Sequence, residues 1–269
     1  MIRLKTDYYQ QFDADHTRDV PAEAYGGWKT GEVEIDPRHT ALIVMHAWDC
    51  GTPEEYPGWF RSCACISRTY DVCRAVFPRL LPAVRRSELT LFHVVAGSTY
   101  CKDHPGYQHA LALSQPPPPP LARAEPDPVY ERLQRFRSEH VFVGKHNQDD
   151  ASRGWAKVKF AKEAEPQGHE GIAENAHQLY ALCREAGINH LIYTGFNIDW
   201  CLLMSEGGMV DMSRRGFICS TIRQAVTAVE NKESARRELS KENSLWRVSV
   251  GFGFVFDLED FIASIAAPK

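Results

Sequence analysis

The strongest constraint on this chain is an alternation of short apolar runs with amphipathic segments. The runs TALIVMH (40–46), TLFHVV (90–95), HLIYTGF (190–196) and GFICSTI (216–222) are apolar almost throughout. Strands with polar residues on one face would alternate; these do not, so both faces need covering. Residues 67–86, 172–185, 201–214 and 230–246 carry apolar residues nearer to helical spacing. Residues 140–144 (HVFVG) and 247–256 read as two further strands, and 258–265 as a closing helix. Strand and helix in alternation predict an α/β fold with three layers, α-β-α, around a mostly parallel six-stranded sheet. Pro78 and Pro82 predict that the helical segment 67–86 is irregular or split.

Two regions do not follow this pattern. Residues 1–39 contain Pro21, Gly26, Gly27 and Gly31 and little periodicity, and read as an N-terminal extension or arm. The main domain then spans 40–269, with insertions near 97–127 and 146–170. The first insertion holds five consecutive prolines, Pro116 to Pro120, which read as a stiff surface loop. Both the arm and this insertion are long for a compact domain, which predicts a homo-oligomer in which one of them crosses to a neighbour.

Composition narrows the function classes. A net charge of −4 argues against a broad basic face for nucleic acid. The longest clean apolar run, 41–45, is far below the roughly 20 residues of a membrane span. The polar, acidic start predicts a cytoplasmic protein. Eight cysteines scattered through the chain look like reduced thiols and not a disulfide framework.

In a parallel sheet the ligand site lies beyond the carboxyl ends of the strands. The first strand ends at His46, with Trp48, Asp49 and Cys50 just beyond, and the third is expected to end at Lys145. The fourth leads through Asn197, Ile198, Asp199 and Trp200 to Cys201, where a helix is expected to begin. A thiol at a helix start gains thiolate character, and the unpaired N–H groups there can hold an oxyanion. Histidine, lysine and cysteine together suit nucleophilic acyl chemistry on a small-molecule substrate.

These residues carry a resemblance. TALIVMHAWDCG, a strand ending in Lys145, and TGFNIDWCLLMSEGGMVDMSRRGF are similar to the isochorismatase-like cysteine hydrolases, a Rossmann-like family. The resemblance covers residues 40–256, apart from the insertions, and implies a hydrolase domain there. It implies an amidase with an aspartate, lysine and cysteine triad and no cofactor. By position Cys201 is the nucleophile and Lys145 the lysine, with Lys157, Lys159 and Lys162 as alternatives. The aspartate position falls on His46 and the usual threonine on Ile198. Histidine can still serve as base for a thiol, and Asp49 is the nearest replacement carboxylate. The resemblance also implies oxyanion donors on the Asn197 and Cys201 backbone, and a cis Phe196–Asn197 bond. Trp48 and Trp200 are candidate substrate contacts. Cys101, Asp103, His104 and His109 are spaced like metal ligands, but they lack the family's metal motif, and no metal site is assigned.

Overall fold

The computed structural model describes residues 1–97 and 99–266. Ten strands occur among them: β1 (Ile2–Gln10), β2 (Gly27–Ile35), β3 (Thr40–Met45), β4 (Trp48–Asp49), β5 (Thr90–Val94), β6 (Lys159–Phe160), β7 (Gly171–Ala173), β8 (His190–Gly195), β9 (Ile218–Val226) and β10 (Val255–Phe256). Eight of them form one sheet in the order β2-β1-β10-β9-β8-β3-β5-β7. From β10 to β7 every pairing is parallel. β4 and β6 form a separate antiparallel ribbon.

The sheet is buried on both faces, as the unbroken apolar runs require. Along β3, Ala41, Ile43 and Met45 enter one core with Leu191 and Tyr193 of β8. Leu42 and Val44 enter the other with Ile192, Phe77 and Leu80. Alternate side chains of one strand therefore fill opposite layers. The helical segment near 67–86 is split, into Cys65–Ala75 and Phe77–Arg85, with Pro82 inside the second helix.

Several expectations need correction. Residues 140–144 are not a strand. They follow the helix Pro128–His140, and Val141 and Phe142 are 65% and 57% exposed. Lys145 opens a 3-10 turn, Lys145–Asn147, so it ends no strand. The sheet position expected for 140–144 belongs to β7, two of whose residues, Ile172 and Ala173, fall in the expected helix 172–185; that helix begins at Ala176. The expected helix 201–214 is two short ones, Cys201–Met204 and Met209–Arg214, separated by Gly207 at φ +78° and by Gly208. The expected helix 230–246 runs instead from Leu239 to Gly251, which leaves only Val255–Phe256 as strand.

Residues 2–10 and 27–35 form an antiparallel hairpin that extends the sheet beyond β10. This raises the strand count from six to eight. The Thr6 hydroxyl donates to the Val255 carbonyl at 3.1 Å, and Leu4 is fully buried.

Candidate active site

β3 and β8 pair in register, Met45 opposite Gly195, and the Phe196 N–H donates to the Met45 carbonyl at 3.0 Å. His46 and the turn that carries Cys201 therefore leave the sheet from adjacent strands. His46 has φ +55°, in the left-handed region that side chains rarely adopt. Its N–H donates to Val94 at 2.9 Å. Its ring stacks on Trp48, with centroids 4.4 Å apart and planes 11° apart. The Trp48 indole N–H in turn donates to the Tyr100 hydroxyl at 2.7 Å. His46 is 3% exposed, and its Nδ1 has no hydrogen-bond partner among the described residues. Burial lowers its pKa from 6.5 to about 4, so the imidazole is neutral at pH 7.

The turn after β8 is tied down by its neighbours. The Phe196–Asn197 peptide is cis. The Ile198 N–H donates to the Thr227 carbonyl at 2.8 Å, and the Thr227 hydroxyl donates to Asn197 Oδ1 at 2.7 Å. Asn197 Nδ2 donates to Cys65 Sγ at 3.6 Å. Asp199 Oδ1 accepts from the Val229 N–H at 2.9 Å. Burial raises the Asp199 pKa above its usual value. Cys201 is half-buried and opens its four-residue helix. Among the described residues, neither the Asn197 nor the Cys201 backbone N–H donates to a protein acceptor. Trp200, at 58% exposure, lies open beside the turn.

The remaining candidates are held by other partners or lie exposed. Asp49 pairs across the ribbon with Lys159, and the ion pair spans 3.4 Å. Asp49 also accepts from the Tyr70 hydroxyl at 2.7 Å and the Gly51 N–H at 3.0 Å. These contacts fix it on the Tyr70 side, while Trp48 one residue earlier stacks on His46. Lys145, Lys157, Lys159 and Lys162 are all exposed. The metal-like spacing does not converge. The His104 Nδ1 accepts from the Gly106 N–H at 3.2 Å as a helix cap, and His109 meets Glu185 at 2.6 Å. Among the described residues no group of three potential ligands could hold a metal.

Sequence reasoning missed Cys65, Tyr100 and Thr227. Thr227 directly follows β9 in the recognisable stretch QAVTAVE (224–230), so its position carries a signal. Cys65 opens the helix Cys65–Ala75 and Tyr100 lies in a turn beyond β5, and no local pattern brings either to this site.

The buried histidines predict an acid-sensitive fold. His190 is also lowered to about 4 by burial. The unfolded chain takes up these protons below about pH 6.5, whereas the folded chain resists until near 4. Stability is therefore complete above 6.5 and is lost as pH falls through the window, on the order of 3 kcal/mol per histidine. The urea midpoint should drop between pH 6.5 and 4, and His46→Gln should flatten that drop. A midpoint equally steep in the variant would show that His46 is not buried neutral.

Comparison with known proteins bears on the fold that carries this turn. No family model matches the chain, and no curated protein matches it. A cysteine hydrolase structure from Pseudomonas syringae pv. phaseolicola 1448A aligns with TM-score 0.50 and 15% identity, over 86% of this chain and 94% of that one. A putative isochorismatase hydrolase from Oleispira antarctica aligns with TM-score 0.48 and 14% identity, over 86% and 100%. A nicotinamidase/pyrazinamidase from Acinetobacter baumannii aligns with TM-score 0.41 and 14% identity, over 84% and 100%. The Pseudomonas match shows the fold: the chain shares the α/β architecture of that cysteine hydrolase structure. Among the described residues no helix is long and apolar enough to cross a membrane.

Proposed function

We propose that the protein is a cysteine hydrolase acting on a small amide or related C–N bond through a thioester on Cys201. The observation that carries this reading is the turn at 197–201. A half-buried thiol opens a helix there, two N–H groups have no acceptor among the described residues, and a neutral buried histidine leaves the adjacent strand. Neutral His46 takes the thiol proton. The Cys201 sulfur attacks the carbonyl carbon, and the Asn197 and Cys201 N–H groups receive the oxyanion. The C–N bond breaks as His46 returns the proton to the departing nitrogen. Water then attacks the thioester, which releases a carboxylic acid and the free thiol. Because burial holds His46 near 4, it remains a base across neutral pH. Its low pKa also makes it a weaker proton acceptor than an ordinary histidine.

Lys145 and Asp49 have no proton step in this mechanism. The first lies on an exposed turn, and the second is engaged by Tyr70, Gly51 and Lys159. Trp48 and Trp200 flank the turn as substrate contacts. The free state of all eight cysteines supports a reducing, cytoplasmic setting. The exposed stripe Val129, Leu133 and Phe136 supports self-association.

The test is thiol mapping. Iodoacetamide at pH 7 should label Cys201 before the other seven cysteines. The contrast is steep with Cys73 and Cys219, whose pKa values burial raises to about 12, and steeper with Cys50 and Cys183, which burial raises further. His46→Ala should slow labelling of Cys201. If Cys201 labels no faster than a free thiol in the folded protein, it is not the nucleophile.

A further inference from the structure

We propose that a second cleft, on the far side of the Trp48–Asp49 strand, binds a small organic monocarboxylate with an aromatic or apolar body. The cleft has a volume of about 670 Å³, and neither His46 nor Cys201 lines it. That volume is in the usual range for small-molecule sites. Tyr56, Phe60 and Tyr70 supply aromatic surface, and Arg74, Lys157 and Lys159 supply cationic groups.

Which charges are already engaged decides the ligand class. The acidic lining residues are Asp49, Glu55 and Asp71. Asp49 is held by Tyr70, Gly51 and Lys159. Glu55 accepts from the Thr52 N–H at 2.9 Å. Asp71 pairs with Arg74 at 3.0 Å, and the Arg74 guanidinium lies 5.8 Å from the centre of the Tyr70 ring. Asp49 and Asp71 are thus paired with cations of the protein, and Glu55 with a backbone N–H. Among the described residues Lys157 has no carboxylate within ion-pair distance, although it lines the same space.

An entering ligand therefore meets an ammonium that, among the described residues, has no carboxylate partner, in a cleft also lined by Tyr56, Phe60 and Tyr70. A carboxylate satisfies Lys157, and its apolar body covers Phe60 and Tyr56. A dianion would bring a second charge toward Asp49 and Glu55, so a single negative charge fits best. A cation would have to displace Lys159 from Asp49.

The experiment is calorimetric titration of the full chain with benzoate, and with benzyl alcohol as the uncharged counterpart. Benzoate should bind with a Kd in the low millimolar range or tighter, at least tenfold below that of benzyl alcohol. Lys157→Met alters an exposed side chain and should weaken benzoate about tenfold while leaving benzyl alcohol unchanged. Cys201→Ala should bind benzoate like the unaltered protein, which separates this cleft from the catalytic turn. Three results would each overturn the proposal: no benzoate binding at millimolar concentrations, unchanged affinity in Lys157→Met, or affinity lost in Cys201→Ala.

Discussion

Gly195→Ala is expected to cost on the order of 3–5 kcal/mol of stability, among the largest effects of any single methyl group in this chain. Gly195 has φ +112°, and a Cβ built there lies 2.0 Å from the Met45 carbonyl oxygen. The other atoms nearest to that Cβ are also Met45 backbone, so no side-chain rotation relieves the clash. β3 and β8 would have to separate where His46 and the 197–201 turn emerge. Gly216→Ala is the control, because Gly216 also has a positive φ, +92°, but its Cβ would meet nothing within 4 Å. Urea unfolding should show a much larger loss at Gly195. Equal losses would attribute the cost to backbone conformation alone and remove the steric argument.

The largest functional effect is expected at Cys201. Cys201→Ala should lower kcat/KM for any small amide the protein hydrolyses by about 10³-fold or more, since removing a nucleophile abolishes the covalent route. The fold should be unaffected, as shown by an unchanged urea midpoint. Cys65→Ala, which removes the acceptor of the Asn197 amide, should cost far less. Mass spectrometry of quenched turnover should find acyl adducts on Cys201 in the unaltered protein. Residual activity within tenfold in Cys201→Ala would end the thioester reading.

The parts of this architecture that could be read from sequence share one property. β3, β5, β8 and β9 are runs whose residues nearly all need burial, and no other element satisfies such a pattern at that length. The run HVFVG misleads because an apolar run does not say whether its residues are covered. Val141 and Phe142 are largely exposed, and the true strand, Gly171–Ala173, is three residues long and starts with glycine. The hairpin of β1 and β2 lies at the sheet edge, where polar side chains are tolerated, so IRLKTDYYQ shows no apolar run. At the site, Cys201 and His46 were legible because each follows a recognisable strand. The Asp49–Lys159 pairing was not, since the ribbon joins segments far apart in sequence and local spacing carries no record of it. Lys145 was placed by an assumed strand, and its position changed once that strand proved absent.

The N-terminal hairpin also bears on how the chain is made. β1 docks on β10, and the Thr6–Val255 hydrogen bond joins residues 249 positions apart. On a ribosome the hairpin is translated long before its partner strand leaves the exit tunnel. Leu4 and Ile35, both buried in the finished sheet, wait unshielded through most of synthesis. The nascent chain thus carries an unpaired strand edge until β10 emerges, and an interrupted translation product would keep that edge open.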